Sequence, residues 1–83
     1  MNNERQLWKG QLAEAEEEFE ARELESKGLI QHLRNHLNPF EPDLTNLKVG
    51  QIENSSKRLV KLINEMKQLK KRITELQEAL GIG

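Results

Sequence analysis

The chain has 83 residues, 33% of them charged and only 35% hydrophobic, with 13 Lys/Arg nearly cancelled by 14 Asp/Glu. That length allows one small domain, residues 1–83, and the low apolar fraction argues against a compact single-core globule. Cysteine is absent, which excludes disulfides, thiolate metal sites and cysteine nucleophiles, and the balanced charge excludes a polyelectrolyte seeking nucleic acid or anionic lipid.

No apolar run exceeds three residues. The sequence therefore predicts neither a membrane span nor a signal-peptide core, and a cytoplasmic location is expected.

The first predicted helix covers about residues 3–38. Asn2 or Asn3 can cap it, and with Asn3 as the cap Gln6 falls at the third helical position, a partial capping box. Trp8, Leu12, Ala15 and Phe19 follow 4-3-4 spacing, and Leu29, Leu33 and Leu37 resume it. Carrying the register between them puts Arg22 and Ser26 on the apolar stripe and leaves Leu24 off it. Gly28 weakens the same stretch by roughly 1 kcal/mol relative to Ala, so the expectation is one long helix with a weak middle.

Pro39 disfavours helix for the residue before it, and Pro42 follows. Residues 38–43 are thus the clear loop, after which Asp43 is the expected N-cap of a second helix opening at Leu44 and running to about residue 80. Gly50 and Asn54-Ser55-Ser56 leave it open whether that helix starts at Leu44 or after Gly50. From Ile52 onward the pattern is strong. Ile52, Leu59, Met66, Ile73 and Leu80 recur every seven residues, and Leu62, Leu69 and Leu76 hold the second apolar position, with Ser55 the one break. Four heptads of 3-4 spacing predict a helix with a narrow coiled-coil seam. Gly81 is the expected C-cap, with Ile82 and Gly83 fraying beyond it.

Two helices of similar length joined by a short loop predict an all-α antiparallel hairpin. Charge points the same way: residues 1–38 carry eight Glu against five Lys/Arg, whereas residues 50–80 carry four Glu against seven. Folding about residue 41 brings Glu23 and Glu25 toward Lys57, Arg58 and Lys61, and Glu14, Glu16 and Glu17 toward Lys67 and Lys70. It also sets Trp8 near Ile73. Each exposed pair contributes on the order of 0–1 kcal/mol, so their combined effect is on register rather than stability.

Two helices facing only each other leave half of each seam wet. Self-association of the hairpins into a four-helix bundle, or docking on another protein, resolves this. Trp8, Leu12, Phe19, Leu29, Leu33, Leu59, Leu62, Met66, Leu69, Ile73 and Leu76 are the expected interface residues.

The competing sites are weaker. His32 and His36 lie four apart, a chelating spacing, but Leu33-Arg34-Asn35 between them lacks the glutamate of a zinc-protease helix, and only Glu41 or Asp43 offers a third ligand. Two histidines near a helix C-terminus, where positive charge is favoured, is the simpler reading. No metal or other cofactor is expected.

Lys57, Arg58, Lys61, Lys67, Lys70, Lys71 and Arg72 form a basic tract that could contact a nucleic-acid backbone. In architecture this is similar to the small dimeric helical hairpins of the Rop type, although no motif is matched. No aromatic residue interleaves the tract, and Glu65, Glu75 and Glu78 dilute it. A solvated face paired with the acidic run Glu14–Glu20 is the preferred reading.

Phe40, between two prolines, is expected to cap the bundle end beneath Leu37, Leu44 and Leu47, with docking into a partner as the other role. Nothing supports catalysis: Ser26, Ser55 and Ser56 lie on helical stretches and the glycines are scattered. The sequence thus reads as a non-enzymatic interaction or oligomerisation module, with a homodimer as the expected partner state. The alternatives are a small nucleic-acid-binding regulator and the N-terminal dimerisation segment of a larger signalling protein.

Overall fold

A computed structural model describes residues 3–82 and shows a helical hairpin, about 67 Å long and 19 by 14 Å across. Helix α1 spans Asn3–His36 and helix α2 spans Val49–Leu80. They run antiparallel and pack along their length.

α1 is continuous through Gly28. Three features carry it across the weak middle. Ser26 is buried and its hydroxyl donates to Met66 Sδ at 3.6 Å. Glu23 and Lys27 form an i,i+4 pair at 3.9 Å. Leu29 and Leu33 then return half-buried to the stripe. Asn3 is helical rather than a cap; the other expected cap, Asn2, lies outside the described residues, as does Gly83.

The loop departs from expectation at two points. α1 stops at His36 rather than about residue 38, although Leu37 N–H still donates to Leu33 O at 2.8 Å. Pro39 has no N–H to continue the ladder and pushes Asn38 out of helical geometry. Asn38 instead accepts from Phe40 N–H through its side chain, at 3.0 Å.

Asp43 does cap a helix, but a single 3-10 turn over Leu44–Asn46. Its carboxylate accepts from Thr45 N–H at 3.0 Å and from the Thr45 hydroxyl at 2.7 Å. Those bonds hold the Asp43 carboxyl below its ordinary pKa. Leu47 then turns extended, and α2 opens at Val49 after Lys48, which makes no side-chain cap bond. The physical reason is local. The Asp43 side chain bonds both the backbone and the hydroxyl of Thr45, a local arrangement that competes with a continuing helix, and Gly50 adds conformational entropy to the first turn of α2.

The other end follows the sequence. Gly81 adopts φ 72°, its N–H reaches Glu78 O at 3.1 Å, and Ile82 N–H reaches Gln77 O at 2.9 Å. This pair of bonds is a Schellman stop, and the left-handed residue in it favours glycine.

An interhelical seam with an open side

The expected seam is where the helices meet. Leu12, Leu62 and Leu76 are buried, as are Ala15 and Leu80 outside the expected interface set. Leu62 is the most enclosed, at 1% exposure. Trp8, Phe19, Leu29, Leu33, Leu59, Met66, Leu69 and Ile73 are each only half-buried. Leu24, placed off the stripe by the register, is 74% exposed. At the open end of the hairpin, Trp8 and Ile73 pack against the cluster of Leu12, Leu76 and Leu80. This is the proximity that folding about residue 41 predicts.

Side-chain crossings fix the register. Arg58 grips Glu25 with two bonds, Nε to Oε2 at 2.7 Å and Nη2 to Oε1 at 3.0 Å. Arg72 Nη2 donates to Gln11 Oε1 at 3.2 Å. Both contacts lie one residue from the register of a fold about residue 41, and Glu25 with Arg58 is one of the pairs expected by charge. The fork-on-fork geometry with Arg58 holds the Glu25 carboxyl below its ordinary range and raises Arg58.

Other expected pairs do not form within the hairpin. Among the described residues, Glu14, Glu16 and Glu17 make no ion pair with Lys67 or Lys70, and Lys57 pairs along its own helix with Glu53 at 3.1 Å. These side chains are all exposed, and shared height along the hairpin does not by itself bring their charges together. Within the basic tract, Arg58 and Arg72 are thus engaged across the hairpin. No ion pair involves Lys61, Lys67, Lys70 or Lys71 among the described residues.

The middle of the seam is polar. Arg22 Nε approaches Glu65 Oε1 to 3.5 Å, with both side chains 31% exposed. Nη1 of Arg22 donates to Glu18 O at 3.2 Å. Arg22 Nε is nonetheless shielded from solvent and makes no hydrogen bond, because Glu65 sits at ion-pair rather than hydrogen-bond range. Arg22, Glu65, Gln68, Leu69 and Arg72 together line a depression of about 320 Å³ that opens to solvent. Sequence periodicity puts Arg22 on the stripe but gives no sign that Glu65 is its partner.

At the loop end, Phe40 is 87% exposed, and Leu37, Leu44 and Val49 are exposed with it. The expected cap is therefore not made within one hairpin. Leu44 is carried outward on the 3-10 turn, and Leu47 alone of the three expected neighbours is half-buried.

The His32 and His36 rings pack at 4.1 Å between centroids, tilted by 38°, and His36 Nδ1 lies 2.9 Å from His32 O. Among the described residues, no third His, Asp or Glu joins them as a ligand set. Nor is any helix among these residues long and apolar enough to cross a membrane. Comparison with protein-family models, curated proteins and solved structures gives no match to this chain.

Proposed function

We propose that this chain is a non-enzymatic oligomerisation module, a hairpin that pairs with a second copy through its coiled-coil seams to form a four-helix bundle. The observation that carries the reading is the half-burial of eight of the eleven expected interface residues after the hairpin has closed. A second layer of helices would remove their remaining apolar surface from water, at roughly 25 cal/mol per Å². The open depression beside Leu69 and the exposed loop-end side chains support the same reading.

Light scattering across a dilution series, with helicity followed on the same samples, tests it. A dimer whose helicity falls on dilution is expected. A fully helical monomer at every concentration would overturn the proposal.

A second reading, a nucleic-acid-binding face, is favoured by the four lysines without ion pairs. Replacing Lys67, Lys70 and Lys71 with Gln would leave helicity intact and, under this reading, weaken binding to a duplex and flatten its salt dependence. Unchanged binding and salt slope would remove it.

A further inference from the structure

Two hairpins can meet face to face about a two-fold axis in two ways. An axis along the helices puts both loops at one end, and each α1 then neighbours α2 of the partner subunit. An axis across the helices puts the loops at opposite ends, with α1 on α1 and α2 on α2. We infer that the dimer takes the first form, loops together, with Arg22 reaching the partner's Glu65. The inference rests on the self-association proposed above and adds its orientation.

Charge decides between the two. α1 carries eight Glu against five Lys/Arg, and α2 carries four Glu against seven. With loops together, every neighbouring pair of helices in the bundle sets an acidic helix against a basic one. With loops apart, two of the four neighbouring pairs set like against like, which costs affinity. The run Glu14–Glu20 and the residues Lys67 and Lys70 make no cross-helix ion pair inside the hairpin among the described residues. They lie at similar heights, so a neighbouring copy with its loop at the same end brings them together.

The polar middle gives the same answer. Arg22 and Glu65 border the open depression with Leu69, and both side chains are still part-exposed after the hairpin has closed. With loops together, the partner's Glu65 stands opposite Arg22, and four charges alternate in sign around the bundle. With loops apart, Arg22 faces Arg22 of the partner subunit. Loops together also gathers the exposed Leu37, Phe40, Leu44 and Val49 of both copies at one end, where they can cover each other. A face 67 Å long and 19 Å wide offers enough area for the about 800 Å² per partner of a standard interface.

The test is a nitroxide distance measurement. Lys48 is exposed just before α2, and the chain has no cysteine, so Lys48→Cys carries a single label. Loops together places the two labels about 20–30 Å apart, given helix spacings of 8–10 Å. Loops apart separates them by about 50 Å, since Lys48 lies seventeen residues from the central Glu65 at 1.5 Å per residue. A dimer with the short distance supports the inference. A dimer with the long distance overturns it while leaving self-association standing. A monomer overturns both.

The central contact has its own readout. Arg22→Glu alone and Glu65→Arg alone should each weaken dimerisation roughly tenfold, and an equal mixture should recover it as a heterodimer. Failure of the mixture to recover would overturn the Arg22–Glu65 contact between copies.

Discussion

Leu62→Ala probes the packing most directly. Leu62 is the most enclosed side chain of the hairpin, at 1% exposure. Removing three carbons at about 0.8 kcal/mol per CH₂ loses about 2.4 kcal/mol of burial. The void left behind raises the expected loss to about 3 kcal/mol. For a domain this small, that lowers the melting temperature by on the order of 10–20 °C. Circular dichroism at fixed protein concentration is the assay, because self-association would make the midpoint concentration-dependent. Val60→Ala on the same helix is the control. Val60 is 60% exposed, and its truncation should stay within about 0.5 kcal/mol of wild type. A Leu62→Ala midpoint no lower than that of Val60→Ala would refute the packing argued here.

Three further perturbations separate local from assembly effects. Gly28→Ala adds a methyl that meets nothing within 4 Å and should raise stability by roughly 0.5–1 kcal/mol. Gly81→Ala, at φ +72°, should lower it by about 1 kcal/mol; denaturant midpoints moving the other way in either variant would contradict the helix and cap assignments. Leu69→Lys puts a charge beside the open depression, so it should abolish the dimer in light scattering more completely than it reduces helicity at high concentration. Unchanged mass would contradict the role of that seam.

Glu25 gives a pH test. Its carboxyl is held below its ordinary value of 4.5 by Arg58, so the fold favours the ionised form. The stabilisation is present above about pH 4.5 and is lost as pH falls through the lowered folded value. The stability gap between wild type and Glu25→Gln should therefore close on acidification. A gap constant from neutral to strongly acidic pH would remove the Glu25–Arg58 pair as its cause.

Much of the hairpin is legible in the sequence. The 4-3 recurrence from Trp8 to Leu33 and from Ile52 to Leu80 is a property of one helix at a time, so it can be read from spacing alone. Pro39 and Gly81 act on their own backbone and are equally readable. Even the placement of Arg22 and Ser26 on the stripe, with Leu24 off it, follows from counting. The loop is less legible. Asp43 is a capping residue in either context, and whether its helix continues depends on competing local bonds such as those between Asp43 and Thr45.

Which long side chains reach across is set by how the two helices pack. Lys57, Arg58 and Lys61 were equivalent candidates for Glu23 and Glu25. Arg58 took Glu25 because its fork can meet both carboxylate oxygens at once. Glu65 met Arg22 across the middle of the seam, and Phe40 found no cover within one hairpin. Helix and seam follow from periodicity, which is local, whereas such contacts depend on the distance and angle between two helices, which no spacing along a single helix contains.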